Sequence, residues 1–207
     1  MIIKFYREIV SIFRRLKLHF VAKNVKAQAT IIGTDHNFKL NTRLYLLEGA
    51  KKENVIISNH VELFGTIKVS KNGKLHMGEW SILGTNSIID CVNSITIGMD
   101  TAISNDVIIT DNNAHPINPE YRRKMRHTPH GSIDRARSRS VSAPIIIGEN
   151  VLVGEHSRIC KGVTIGDNAI IAASSVVTKN VPANSIAAGN PAKIVKENID
   201  LLPEPVF

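Results

Sequence analysis

From Ile147 to Pro182 the chain reads IGENVLVGEHSRICKGVTIGDNAIIAASSVVTKNVP, and an aliphatic residue returns at every sixth position: Ile147, Val153, Ile159, Ile165, Ile171 and Val177. Four places after each stands a small or β-branched residue: Val151, Ser157, Val163, Ala169, Ser175 and Val181. An amphipathic helix repeats its apolar positions about every 3.6 residues and a half-buried strand at every second residue, so neither accounts for this spacing. A fixed hexapeptide period marks a parallel β-helix. Each hexad supplies a short strand and a turn, and three hexads close one triangular coil. The aliphatic residue points into the prism, the small residue fits at the crowded corner, and stacked coils bury one continuous column.

Hexads also begin near Ile57 and run through Leu63 and Val69, with Ile67 and Gly73 fitting the corner position poorly. A two-residue slip at Lys74 to His76 resets the register to Met77, Leu83 and Ile89, and a second at Asn93 and Ser94 leads to Ile97, Ile103 and Ile109. Such slips read as bulged corners or short outward loops. Before these tracts, residues 30–47 are irregular, with alternation in TRLYLL that suggests a strand. Placed at about 100° per residue, Ile2, Phe5, Ile9, Ile12, Phe13, Leu16 and Phe20 share one helical face, and Lys4, Arg7, Arg14 and Arg15 share the other. Two readings stand for this amphipathic helix: a cap on the open end of the β-helix, which is preferred, or a helix lying on an anionic membrane surface. Charges interrupt it too often for a membrane span, and no small-residue cleavage site follows, so neither a transmembrane segment nor a signal peptide is expected.

The hexads stop between the two tracts. Residues 111–143, DNNAHPINPEYRRKMRHTPHGSIDRARSRSVSA, hold prolines at 116, 119 and 129 and seven cations: Arg122, Arg123, Lys124, Arg126, Arg135, Arg137 and Arg139. A loop of this length inside a compact domain is either functional or disordered. The expected organisation is therefore an all-β parallel β-helix at 30–195 broken by an excursion at 111–143. An amphipathic segment at 1–29 precedes it and a tail at 196–207 follows.

Composition agrees with one domain able to bury its own core: 207 residues, 43% hydrophobic but only 5% aromatic, as a narrow aliphatic prism requires. Cys91 and Cys160 fall in different coils and form no disulfide framework or metal spacing, so they read as reduced thiols in a cytoplasmic protein. The net charge of +8 favours an anionic partner without naming it. The arginine-rich excursion lacks the aromatic platform that a nucleic-acid binder would carry, so no nucleic acid is expected.

The hexad tract resembles the left-handed β-helix acyltransferases, and the closing segment VVTKNVPANSIAAGNPAKIV (176–195) is similar to that of the maltose, galactoside and polysaccharide O-acetyltransferase branch. One departure is Leu152, where that branch often has Trp. The resemblance implies a homotrimer using acetyl-CoA as donor, with the active site between neighbouring β-helices and no metal. It places the catalytic base at His115, which is followed by Pro116 at the start of the excursion. It implies coenzyme contacts at Glu155, Ala173, Thr178, Lys179, Lys193 and Lys196, with Gly189, Asn190 and Pro191 forming the turn that returns the Lys193 segment. Glu155 stands where a small hydroxyl residue is more familiar.

A neutral imidazole suits removal of a hydroxyl proton near pH 7, and the following proline restricts His115 to extended backbone. No nucleophile with a paired base is present, which favours direct transfer over a covalent acyl-enzyme. Asn86 and Asp90 are candidate acceptor contacts, or corner hydrogen-bonders. Arg122, Arg123 and Arg126 suggest an anionic or lipid-linked saccharide acceptor in surface-polysaccharide assembly; a charge run taken alone is a solvated surface. Peripheral membrane contact would run through residues 1–20. Two further readings remain, an N-acetyltransferase on an amino sugar and a non-catalytic β-helix scaffold. A zinc β-helix carbonic anhydrase lacks support, because no closely spaced His pair lies within a hexad tract.

Overall fold

The computed structural model describes residues 2–203, with the side chains of residues 2–5 and 138 outside the description. Three sheets in register form the faces of a left-handed parallel β-helix. On the first face the inward column runs Ile31, Ile57, Met77, Ile97, Ile147 and Ile165. The second runs Phe38, Leu63, Leu83, Ile103, Val153, Ile171 and Ala187. The third runs Leu44, Ile67, Ile89, Ile109, Ile159 and Val177. All six hexad aliphatics from Ile147 to Val177 are at most 1% exposed, and their six corner partners at most 4%.

The corner residue does more than fit. Buried hydroxyls there donate to carbonyls: Ser87 to Ser104 O at 2.7 Å, Thr101 to Gly148 O at 2.8 Å and Ser157 to Ala172 O at 3.0 Å. Each bond satisfies a polar group that would otherwise be stranded in an apolar prism. Glycine is needed where coils touch: a Cβ on Gly98 would sit 2.4 Å from Gly148 O, and one on Gly154 would sit 2.5 Å from Ala173 N. Asn150, Asn168 and Asn184 hold the left-handed turn position and form a ladder, Asn150 donating to Asn168 at 3.0 Å and Asn168 to Asn184 at 2.8 Å. Asn tolerates that conformation better than most side chains.

The early register differs from the one expected. Ile89 pairs with Ile67, and Val69 pairs with Cys91. Ile67 is therefore a column residue rather than a corner, and the first irregularity is the short corner after Leu63. The third-face strands Thr66–Val69 and Ile88–Cys91 are four residues long and carry a second inward side chain, matched on the first face by Leu75 and Ile95. The slip at Asn93 and Ser94 lies between the third and first faces, as do the excursion and the 3-10 turn Lys52–Asn54.

Helix α1 spans Ile2–Gln28. Its last turns do cap the prism, but with a different face from the one expected: Val25 and Ala29 are buried, and Val21 and Ala22 pack on the core. Ile9, Ile12, Phe13, Leu16 and Phe20 are exposed. Of the expected apolar face, Ile2 and Phe5 lie outside the described side chains. The cap uses small residues because it must approach the first coil closely. The tail continues the second face as a hairpin, Ile186–Gly189 with Ala192–Lys196, and turns at Gly189 (φ 102). Ile199 N then donates to Asn184 O at 3.0 Å; residues 204–207 of the expected tail are outside the description.

The tripeptide Ile145–Ile147 tests the register. Ile145 and Ile147 are buried at 0% and 1%, and Ile146 between them is 47% exposed. Ile145→Ala is expected to cost about 2–5 kcal/mol, and Ile146→Ala less than about 0.5 kcal/mol, read from denaturant midpoints of the two variants.

Candidate active site

The excursion leaves the prism through a built neck. Asn112 and Ser142 form an antiparallel bridge, Asn113 N donates to Val141 O at 3.0 Å, and Ala143 N to Asp111 O at 2.9 Å. Asp111 is fully buried below it, accepting from Val92 N at 2.9 Å, Asn93 N at 2.7 Å and Asn112 Nδ2 at 3.2 Å. Burial holds the Asp111 carboxyl above the usual carboxylate range despite those donors, and burial likewise pushes up the neighbouring Cys91 thiol.

Just beyond the neck, Asn112 Oδ1 accepts from Ala114 N at 2.8 Å, an Asx turn that sets Ala114 at φ 59. His115 N then donates to Asn113 O at 2.6 Å, and its side chain is exposed. His115 thus stands on a short turn braced by a buried carboxylate, not on a loose loop.

The excursion is folded. Helix α2, Pro119–His127, is N-capped by Asn118, whose side chain accepts from Glu120 N and Tyr121 N. Asn-Pro-Glu is a helix-start signal present in the sequence and not used in the reading above. Arg122 turns inward, donating to Ile117 O, whereas Arg123 and Arg126 are exposed. Arg139 donates to Asp134 at 2.7 Å. Arg137 forms an ion pair with Asp90, and its backbone N–H donates to Glu48 at 2.6 Å. The excursion therefore leaves after the fourth coil and folds down the prism to the third and first.

That contact changes the picture at the acceptor candidates. Asp90 lies on the outer side of the third face between Lys68 and Thr110, with Oδ2 engaged by Arg137 and Oδ1 buried without a partner. Asn86 sits at the other end of the strand, at a corner with φ 60, and its side chain is exposed. The structure does not bring the two side chains into hydrogen-bond contact.

The coenzyme candidates fall in three places around the last coils. Glu155 and Ala173 stack at the corner between the second and third faces, where Ser174 N donates to Glu155 O at 2.7 Å, and Lys193 stands on the hairpin that continues that face. Lys196 is at the far end of the same hairpin, opposite Ile186. Thr178 and Lys179 follow the last third-face strand. Thr178 shares a surface groove of about 440 Å³ with Thr110, Asn112, Asn113, Arg158, Cys160 and Lys161. One wall of that groove is the root of the His115 turn. Leu152, the departure noted above, faces outward on the second face.

Fold and site together define a hexapeptide-repeat β-helix with one folded excursion beside the outer side of its third face. A model described as bacterial transferase hexapeptide (six repeats) matches residues 144–179. Polysialic acid O-acetyltransferase of Escherichia coli O1:K1 / APEC is 38% identical over 146 residues, 70% of this chain but 43% of that protein, so the chain spans less than half of that relative's length. The crystal structure of the polySia-specific acetyltransferase NeuO matches with a TM-score of 0.60 at 26% identity over 83% of each chain. Galactoside acetyltransferase in complex with coenzyme A matches with a TM-score of 0.52 at 26% identity, over 84% of this chain and 68% of that one. The chain carries the bacterial transferase hexapeptide repeat and is similar to hexapeptide-repeat acetyltransferases.

Asp111 is expected to hold the whole neck. Asp111→Ala leaves the Val92 and Asn93 amides without their acceptor and should cost about 1–3 kcal/mol. Hydrogen exchange should quicken across residues 112–143 while the coil amides stay protected, as mass spectrometry of peptide fragments would show.

Proposed function

We propose that the chain is an acetyl-CoA-dependent O-acetyltransferase acting on a saccharide hydroxyl in surface-polysaccharide assembly, with His115 as general base. The observation that carries this reading is the groove joining the root of the His115 turn to Thr178. Its lining includes Asn112 and Asn113, which lead into the His115 turn, and Thr178, one of the proposed donor contacts, and this supports a reading in which base and donor meet on one surface. The relatives' names, polysialic acid and galactoside acetyltransferases, the second solved with coenzyme A, support the same donor and acceptor classes.

The reaction needs three things of this chain. The His115 imidazole takes the acceptor hydroxyl proton as that oxygen attacks the thioester carbonyl. The tetrahedral intermediate then collapses, the C–S bond breaks, and the thiolate leaves with the proton returned by the imidazolium. Lys179, Lys193 and Lys196, all exposed, serve as point charges for the phosphates of the donor. Thr178 serves the nucleotide end beside Lys179, Ala173 and Glu155 border the arm that carries the thioester, and Gly154 and Ala173 keep that corner narrow. The homotrimer, with neighbouring β-helices sharing the cleft, and a cytoplasmic location, where acetyl-CoA is found, belong to the same proposal.

Arg123 and Arg126 are the excursion cations left for an anionic acceptor, since Arg122, Lys124, Arg135, Arg137 and Arg139 each have a partner within the protein. Replacing both with Gln should raise the KM for an anionic saccharide and flatten its dependence on salt, because exposed attraction is screened within about 10 Å at 0.1 M. The affinity for coenzyme A should not move.

The direct test is an acetyl-CoA-dependent screen of glycans and amino sugars side by side, read by mass spectrometry. Ester formation on a glycan hydroxyl is the expected product, and amide formation alone would move the reading to N-acetylation. His115→Ala should lower turnover by about 10²- to 10⁴-fold with folding and coenzyme binding intact. Near-normal turnover in that variant would remove His115 from the mechanism.

A further inference from the structure

Helix α1 carries two apolar stripes on opposite sides, and the β-helix uses only one of them. Val21, Ala22 and Val25, with Ala29 just past the last turn, close the open end of the prism. The other stripe, Ile9, Ile12, Phe13, Leu16 and Phe20, follows helical spacing and looks away from the prism. Its members are 36% to 66% exposed, with Phe13 at 61% and Phe20 at 66%. Leaving two phenylalanines and three aliphatics in water along one ridge exceeds the scattered surface apolars of an ordinary monomer.

We propose that this stripe rests on an anionic lipid bilayer, with α1 lying in the plane of the interface between the membrane and the base of the β-helix. The charge of the helix selects this occupant. IIKFYREIVSIFRRLKLHFVAKNVKAQ holds seven Lys and Arg and a single acid, Glu8. Low overall hydrophobicity, cations on the polar side and Phe and Leu on the other are the composition of an interfacial helix. Each cation near the surface adds attraction to anionic headgroups, and the long side chains of Lys17 and Lys23 can reach headgroups from beside the stripe.

The same charges argue against a second copy as the cover. A two-fold pairing brings the same patch of each partner together, so two lysine-flanked stripes, each bordered by the exposed Lys17 and Lys23, would meet with like charge on both sides. Insertion across the bilayer is a different matter, and among the described residues no helix is long and apolar enough for it. In-plane docking would hold the enzyme where lipid-linked saccharides are exposed, although the inference does not depend on the chemistry proposed above.

The experiment is co-sedimentation of the full chain with vesicles of phosphatidylcholine alone and of phosphatidylcholine mixed with phosphatidylglycerol. Binding is expected only to the mixed vesicles and should weaken as salt rises. The double variant Phe13→Ser, Phe20→Ser should lower vesicle affinity by about tenfold or more, with thermal midpoint and solution mass unchanged because neither side chain is in the core. Arg14→Gln with Arg15→Gln should weaken binding to the mixed vesicles and reduce its dependence on salt. A wild-type chain that stays in the supernatant with mixed vesicles overturns the proposal. So does a lower solution mass for the phenylalanine variant by light scattering, which would assign the stripe to a second copy.

Discussion

Every coil of this molecule must hydrogen-bond to the coil beneath it, residue against residue, on three faces at once. That ladder is the constraint on which the rest depends, because a residue added within a strand would shift all later side chains from the interior to the surface. Extra residues can leave only at corners. Close contact between coils narrows the corners, at Gly98 against Gly148 and at Gly154 against Ala173. The insertions gather at the corner between the third and first faces: the 3-10 turn at Lys52–Asn54, the Val92–Asn93 bulge and the long excursion. The position of the candidate site follows from the packing of the coils.

An excursion at a corner would swing freely without something to hold it, and two different interactions do so. At the neck a buried carboxylate, Asp111, gathers the amides of the preceding corner, Val92 and Asn93, and orients Asn112. Asn112 in turn shapes the turn that ends at His115. The cost of burying Asp111, visible in its raised pKa, is offset by those bonds. Candidate catalytic geometry here thus derives from the bulge of an earlier coil, one of the places where the hexad pattern slipped.

That slip marks the limit of what could be read from the chain alone. The column from Ile147 to Val177 was legible because each hexad there contributes one inward aliphatic and one small corner residue. In the second and third coils the four-residue strands carry two inward residues each, so Ile67 and Val69 look equally suited to the column and the period does not choose between them. Helix α1 failed for a related reason. Counting apolar positions selects the larger stripe of Phe and Ile, whereas the prism end accepts Val21, Ala22, Val25 and Ala29, whose small size permits close approach. The Asn118 cap was present in the sequence as Asn-Pro-Glu, obscured by the charge run after it. The Arg137–Asp90 pair had no local signal, since its partners are joined only by the folding of the excursion.

That pair also decides what the excursion's positive charge can do. Seven cations read as one basic patch in the sequence, but the structure divides them by partner. Arg139 and Asp134 are both well exposed, at 58% and 36%, and an ion pair in that setting contributes little to stability. Arg137 and Asp90 are more enclosed, at 36% and 13%, and the Arg137 backbone N–H is held by Glu48 as well. Removing the arginine would leave an enclosed carboxylate unpaired, which is far costlier than losing a surface pair. Arg137 is therefore a fastener that lays the excursion along the prism. The charge free to attract a ligand is what remains after such fastening, at Arg123 and Arg126 on helix α2, and its placement depends on the fastener holding.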